Sequence, residues 1–89
     1  MNIELIIEEQ YVKNSTYRVK AIKAIGPNTK TPTQISADSN ILTNHISKTL
    51  GELKDKNMIE CINEDARKGR LYRLTKKGHQ IYKDLNTEY

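Results

Sequence analysis

The sequence has few of the features that mark secreted, membrane-embedded or metal-binding proteins. Among its 89 residues there is a single cysteine, Cys61, which cannot form an internal disulfide and gives no indication of secretion. No apolar run approaches the roughly 20 residues that a membrane-spanning helix requires. Near the start, where a signal peptide would be basic and then apolar, stand Glu4, Glu8 and Glu9. We therefore expect a cytoplasmic protein without a membrane partner.

Motifs of catalysis and of metal binding are equally scarce. The chain has no glycine-rich phosphate loop, no nucleophile elbow and no clustered carboxylates. Its soft metal ligands, His45, Cys61 and His79, show no paired spacing. Cys61 is more simply a small residue of a half-buried strand, and His79 a surface residue. We expect a single domain over residues 1–89 that is not an enzyme and holds no metal or cofactor.

Positive charge, in contrast, is concentrated in one part of the chain. The formal net charge is +4, and no acidic residue occurs between positions 66 and 77. A cationic face of this kind most often meets phosphate, although a run of solvated charges gives the same pattern. The basic residues of this segment are Arg67, Lys68, Arg70, Arg73, Lys76 and Lys77.

Hydrophobic spacing predicts helices and one hairpin. Residues 1–12 fit a helix or a strand, because so short an apolar run has no decisive period. Gly26 and Pro27 should end the helix that precedes them. The predicted elements are helices over about 15–25, from 31 onward, over about 43–56 and over about 75–85, the last of which Thr75 can cap, with strands over 58–62 and 70–74.

The helix that begins after Thr31 has the clearest start signal. Thr31 and Gln34 form a capping-box pattern, with a proline at the first helical position between them. Ile35 and Ala37 should face inward. The turn-forming residues at 38–40 should then end the helix.

The next helix completes a recognisable arrangement. Ile46, Leu50 and Leu53 make one apolar stripe along it. Two helices joined by a short turn form a helix-turn-helix, here over about 31–56, and the hairpin over about 58–75 would be its wing. We predict an α+β, mostly α, winged helix-turn-helix fold with a three-helix core, a two-stranded β-hairpin wing and a C-terminal helix.

The polar side of the helix over 43–56 is the first candidate DNA-binding surface. Asn44 and Lys48 lie opposite the apolar stripe, and His45 and Ser47 lie on its flanks. Asparagine can pair with adenine and lysine with guanine acceptors, and the amino end of a recognition helix is the part that reaches base edges. An ordinary solvated helix face would have the same composition.

Hydroxyl side chains near helix starts are candidates for phosphate contacts, because backbone N–H groups also point outward there. Thr31, Thr33, Thr43 and Ser47 occupy such positions. For Thr31, capping its own helix is the simpler role.

The tip of the hairpin is the second candidate surface. Gly69 tolerates the positive φ that a tight tip requires. Arginines there can follow the DNA backbone or enter the minor groove, whose negative potential favours them. The loop residues Asn63, Glu64 and Asp65 should point away into solvent. The candidate DNA-binding residues of the wing are Arg67, Lys68, Arg70 and Arg73.

Several segments together resemble a known family. They are TPTQIS at the start of the short helix, ISKTLGEL in the recognition helix, the strand MIECI and the wing exit GRLYRLTKKG, with STYRVKAIKAI upstream. In combination they look like the winged-helix regulators of the MarR and ArsR type, and most closely like small archaeal members. The resemblance implies double-stranded DNA as partner, bound by the recognition helix and wing, and a two-fold dimer. The chain lacks the cysteine pair or histidine cluster of metal-sensing ArsR members and the long dimerisation helices of full MarR proteins, so metal sensing and a ligand pocket are not carried over.

Two alternatives stay open at the level of sequence. A winged helix can instead bind protein or RNA, as an accessory factor of transcription or replication, since a fold does not fix a function. Apolar residues near both ends would form a homodimer interface or simply cover the core of a monomer. These residues are Ile3, Leu5, Ile6, Ile7, Tyr11, Tyr82, Leu85 and Tyr89.

Overall fold

The structure, a computed structural model, describes residues 3–87 of the chain. Over these residues it has five helices and one two-stranded antiparallel sheet, which confirms the predicted fold class. Residues 3–13, for which the sequence left helix and strand open, form a helix. The elements are α1 (Ile3–Lys13), α2 (Thr16–Ile25), α3 (Pro32–Ser39), α4 (Thr43–Asp55), β1 (Ile59–Cys61), β2 (Tyr72–Leu74) and α5 (Lys76–Thr87).

Three of the helices begin at a hydroxyl side chain that accepts a hydrogen bond from the first turn. Ser15 caps α2 by accepting from the N–H of Arg18 at 3.3 Å. Thr31 and Gln34 form the complete capping box of α3, with bonds of 3.2 and 2.9 Å. Thr75 accepts from the N–H of Gly78 at the start of α5, at 3.1 Å. The caps predicted for Thr31 and Thr75 are therefore confirmed.

The core lies between the helices and the base of the wing. The predicted stripe of α4 is buried, and so are Ile81 and Leu85 of α5. Each helix contributes one side because its apolar residues recur at helical spacing. The buried apolar side chains are Val12, Ala21, Ile22, Ile25, Ile35, Ile41, Ile46, Leu50, Leu53, Met58, Ile59, Leu74, Ile81 and Leu85.

The inward face of α3 differs from the prediction at one position. Ala37 is exposed, and Ser39 is buried in its place. Ser39 lies one turn after Ile35, so helical geometry puts both on the same side, and its hydroxyl donates to the carbonyl of Ile35 at 2.6 Å. The helix ends at Asn40, whose left-handed backbone (φ 58°) closes the turn.

The wing is a short hairpin with a third segment on its other edge. Its strands have three residues each, shorter than predicted, and pair in the register Ile59 with Leu74 and Cys61 with Tyr72. Lys30, which precedes α3, exchanges two backbone hydrogen bonds with Tyr72 at 2.9 and 2.8 Å. This bridge joins the start of the helix-turn-helix directly to the wing.

Ionic contacts connect α1 to the rest of the fold. The Arg18 guanidinium lies 3.8 Å over the Tyr11 ring, donates to the Tyr11 carbonyl at 2.8 Å and pairs with Glu52 of α4 at 3.3 Å. Lys77 of α5 pairs with Glu8 of α1 at 2.8 Å. Helix α1 is thus held from both sides.

The apolar residues near the two ends fall into two groups. Tyr82 is half-buried and Leu85 buried in the chain's own core, and Leu5 and Tyr11 also pack against it. On α1, however, Ile3, Ile6 and Ile7 are exposed. Tyr89 lies outside the described residues. No helix within residues 3–87 is both long and apolar enough to cross a membrane.

Candidate nucleic-acid interface

The polar side of α4 is open to solvent. Asn44, His45, Ser47 and Lys48 are all exposed there, as the stripe on the opposite side requires. Thr43 is also exposed, and its hydroxyl lies 3.4 Å from that of Ser36 on α3. The amino-terminal half of α4 therefore presents several hydrogen-bonding side chains on one surface.

Ring contacts and backbone bonds organise this surface. The ring centroids of Tyr17 on α2 and His45 lie 5.4 Å apart, with the rings tilted by 47°. The Ser47 hydroxyl donates to the Thr43 carbonyl at 3.1 Å. Lys48 is exposed, has no ion-pair partner among residues 3–87 and remains available to a ligand.

The start of α3 and the tip of the wing face each other across a cleft. The cleft has a volume of about 450 Å³. Thr31 lies at its edge with its side chain already used as a cap, whereas Thr33 is exposed. Phosphate groups suit such a place, because the N-terminal N–H groups of a helix and basic side chains both attract anions. The lining residues are Thr31, Pro32, Thr33, Arg67, Lys68, Gly69 and Arg70.

The wing loop is shaped by Asn63. Its Oδ1 accepts from the N–H of Leu71 at 2.7 Å, and its Nδ2 donates to the carbonyl of Gly69 at 3.2 Å. The predicted outward orientation of Asn63 is therefore wrong, because its amide satisfies backbone groups across the loop. Gly69 adopts the expected positive φ of 67° at the tip.

The four basic candidates of the wing differ in their partners. The Arg70 guanidinium donates to the carbonyls of Ala66 at 2.9 Å and Glu64 at 3.1 Å, so it supports the loop from inside. Arg73 pairs with Glu60 on the neighbouring strand at 2.6 Å. Arg67 and Lys68 are exposed and have no ion-pair partner within residues 3–87. These two are the cations that the wing offers to a ligand.

An ion pair links the wing loop to the end of α4. Lys54 and Glu64 approach to 2.5 Å. The hydrogen bond from Lys54 lowers the pKa of Glu64, and the bond to Glu64 raises the pKa of Lys54. Glu64 thus does not point away from the domain as predicted, because the end of α4 supplies a partner that sequence order does not reveal.

No group of three His, Cys, Asp or Glu side chains within residues 3–87 is placed to hold a metal ion. Cys61 is half-buried, with its Sγ 3.5 Å from the Oδ1 of Asn63. His79 is exposed on α5.

Comparison with known proteins identifies the family. A family model described as a winged helix-turn-helix matches residues 18–88. The chain belongs to the winged helix-turn-helix family. A search of curated protein sequences finds no match.

Solved structures share this winged helix-turn-helix fold. FabT of Streptococcus pneumoniae, in complex with DNA, is 27% identical, with a TM-score of 0.64 over 94% of this chain and 66% of FabT. The transcriptional repressor BigR of Xylella fastidiosa is 19% identical (TM-score 0.79; 94% and 85% of the two chains). A mutant of the type III plasmid segregation protein TubR is 10% identical (TM-score 0.81; 99% and 95%).

Other solved relatives are longer than this winged helix-turn-helix chain. The chain spans only 51% to 64% of four of them, one being a MarR family transcriptional regulator of Silicibacter pomeroyi. The resemblance to MarR proteins is thus matched by a similarity of fold to a solved MarR family structure. The resemblance to ArsR proteins and to archaeal members stays a prediction.

Two exposed residues of the winged helix surface were not predicted from the sequence. Tyr17 is 41% exposed beside His45, and Leu42 is 70% exposed directly before α4. The signal for Leu42 was present in the sequence, because a leucine stands where a helix start favours serine, threonine, aspartate or asparagine. Nothing local indicated Tyr17, whose place depends on how α2 crosses α4.

Proposed function

We propose that this winged helix-turn-helix chain is a sequence-specific, double-stranded DNA-binding transcriptional regulator that acts as a homodimer. The observation that carries the proposal is the cleft between the start of α3 and the wing tip, which is lined by Arg67 and Lys68, two cations without an ion-pair partner among the described residues. A DNA backbone following this cleft would place α4 at the adjacent major groove. The DNA complex of FabT and the repressor BigR support this assignment.

Base reading falls to the exposed start of α4. Asn44 and Lys48 carry the donors and acceptors that match adenine and guanine edges in the major groove. His45, braced by Tyr17, adds a third polar group. The acidic Glu52 is neutralised by Arg18, which reduces its repulsion of the phosphates.

Phosphate contacts fall to α3, to the start of α4 and to the wing. Thr33, Thr43 and Ser47 offer exposed hydroxyl groups near the helix starts. Arg67 and Lys68 supply charge at the wing tip, whereas Arg70 mainly holds the loop in shape. Thr31 contributes by fixing the start of α3, and Arg73 flanks the wing while paired with Glu60.

The homodimer forms through α1. Ile3, Ile6 and Ile7 recur at helical spacing and are 71%, 41% and 63% exposed, which gives an apolar stripe that the rest of residues 3–87 leaves open. A two-fold dimer binds an inverted repeat whose half-sites lie about one helical turn apart. The double variant Ile3→Ser/Ile7→Ser should sediment as a monomer at tens of micromolar, where a moderate dimer persists. Ile62→Ser removes an exposed isoleucine elsewhere and should stay dimeric; a monomeric wild-type protein would contradict the dimer.

The decisive experiment is selection of binding sites from a random DNA duplex library, followed by affinity measurements across a salt series. Lys48→Ala should weaken binding to the selected site about tenfold and binding to random duplex little, because it removes a base contact. Arg67→Ala/Lys68→Ala should weaken both, and the salt slope should fall by about 0.9 for each phosphate that is no longer neutralised.

Lys83→Ala is the matched control for charge. Lys83 is exposed on α5, which packs against α1, α2 and β2 and not against the cleft. This variant should leave the affinity unchanged. Failure of the wild-type protein to bind any duplex at low salt would overturn the proposal, and tighter binding to RNA of the same sequence would favour the accessory-factor alternative.

A further inference from the structure

Leu42 is an exposed leucine in the turn between α3 and α4. Its neighbour Ile41 is 4% exposed and fills the core, whereas Leu42 is 70% exposed. The next three residues, 43–45, are polar and exposed as well. Leu42 therefore places a large aliphatic side chain at the amino-terminal edge of this polar surface.

Leu42 also occupies the N-cap position of α4, where its side chain cannot accept a hydrogen bond from the helix. No side chain within residues 3–87 caps the first turn of that helix. Ser15, Thr31 and Thr75 cap α2, α3 and α5. Leucine is among the poorest N-cap residues because it offers no acceptor to the free N–H groups.

Two local preferences are thus violated by one residue. An apolar side chain faces water, and the start of α4 receives no side-chain cap from the described part of the chain. Such departures concentrate at functional sites, where a ligand supplies what the isolated domain lacks. A protein partner fits poorly, because the exposed residues that follow Leu42, at 43–45, are polar and one leucine provides far less apolar area than a specific protein interface needs.

In the major groove the apolar feature of the base edges is the 5-methyl group of thymine. The backbone carbonyl of Leu42 accepts the first helical hydrogen bonds of α4, from His45 and Ile46, so the side chain begins at the tip of the helix that is proposed to enter the groove. We propose that Leu42 contacts a thymine methyl group and selects thymine at one position of each half-site. This inference rests on the proposed function and adds a base preference to it.

The test replaces single thymines by deoxyuridine in the site selected from the random duplex library. Deoxyuridine pairs as thymine does and lacks only the methyl group. At one thymine of a half-site, the exchange should weaken wild-type binding about fourfold, the factor that corresponds to one buried methyl group. In Leu42→Ser the two duplexes should bind equally, because the serine does not reach the methyl group.

Two further measurements separate this role from a structural one. Leu42→Ser supplies the missing cap, so its melting temperature should equal or exceed that of the wild-type protein, which excludes unfolding as the cause of any weaker discrimination. Lys48→Ala should weaken binding to both duplexes equally and leave the thymine-to-deoxyuridine ratio at about four, the value expected for one buried methyl group.

The possible outcomes distinguish the thymine contact from DNA binding itself. If a site is selected but the ratio at every thymine is the same in the wild-type protein and in Leu42→Ser, the thymine contact is overturned and the DNA-binding proposal stands. If no duplex is selected at all, both are overturned. A ratio that falls to one in Leu42→Ser alone establishes the contact.

Discussion

Helices α3 and α4 form one motif but are held in place by different means. Helix α3 (Pro32–Ser39) buries little more than Ile35 and Ser39 and begins with a complete capping box. Helix α4 (Thr43–Asp55) buries four side chains along one side and begins at Leu42, which makes no side-chain cap. The first helix depends on the hydrogen bonds of its start, and the second on the packing of its length.

This difference shows how the motif divides its tasks. Because tertiary packing stabilises α4, the helix does not need a capping side chain at its amino terminus. The N-cap position can therefore be occupied by Leu42. Helix α3 buries fewer side chains and depends on the cap that Thr31 provides. Mutations that exchange these roles test the comparison.

The largest effect is expected for the packing of α4. Leu53→Ala removes a fully buried side chain and should lower the free energy of unfolding by about 3 kcal/mol, because apolar burial is reduced and a cavity is left behind. Denaturant unfolding measures it. Asp55→Ala, on the exposed side of the same helix, is the control and should change the free energy by less than about 0.5 kcal/mol. Equal losses in the two variants would contradict the dependence of α4 on its stripe.

A smaller loss is expected at the cap of α3. Thr31→Ala breaks the bond to the N–H of Gln34 and should cost about 1 kcal/mol in the free energy of unfolding. Thr33→Ala changes an exposed threonine in the same helix without touching the cap and should be close to neutral. Chemical denaturation of both variants decides, and a Thr33→Ala loss as large as that of Thr31→Ala would count against the cap.

The start of α4 should respond in the opposite direction. Leu42→Ser gives the helix an acceptor for its first N–H groups and should raise the free energy of unfolding by about 0.5 to 1 kcal/mol. Leu42→Ala shortens the side chain without adding an acceptor and should gain less. Thermal unfolding of the two variants separates capping from the removal of an exposed leucine, and equal gains would assign the effect to the latter.

The smallest effect concerns the link between α4 and the wing. The folded state lowers the pKa of Glu64 through Lys54, so the link stabilises the protein above the ordinary pKa of a glutamate and is lost as the pH falls through the lowered value. Glu64→Gln should therefore be slightly less stable than the wild-type protein at pH 7 and equally stable at strongly acidic pH. Melting temperatures across this range check it; a pH-independent difference would show that the ion pair contributes nothing.

The features that were correctly predicted from the sequence all depend on residues that are close together in the chain. The capping box of Thr31 and the cap of Thr75 join residues three positions apart, and the stripe of Ile46, Leu50 and Leu53 follows helical geometry alone. Ala37 shows the limit of that reasoning, since it lies away from Ile35 around the helix and the polar Ser39 occupies the buried position.

Parts of the candidate interface depend on groups that are distant in the chain. Asn63 was predicted to point into solvent and Arg70 to contact DNA, yet the amide of one and the guanidinium of the other hold the loop through its backbone groups. The partner of Glu64 comes from α4, and Lys30 pairs with β2 across the whole helix-turn-helix. Spacing in the sequence cannot select such partners, because only the packing of the helices brings them within hydrogen-bond distance.

Local sequence patterns were sufficient to predict the winged helix-turn-helix order, the starts of α3 and α5 and the polar side of α4, because caps and periodicity act between neighbouring residues. Which wing cations have a partner within residues 3–87 depends on the packing of the whole domain. Arg67 and Lys68 differ from Arg70 and Arg73 in their partners and not in their chemistry. Tertiary packing also determines that Leu42 is exposed. Either residue of the Ile41–Leu42 pair is apolar enough to fill the core, but the crossing of α3 and α4 buries only Ile41.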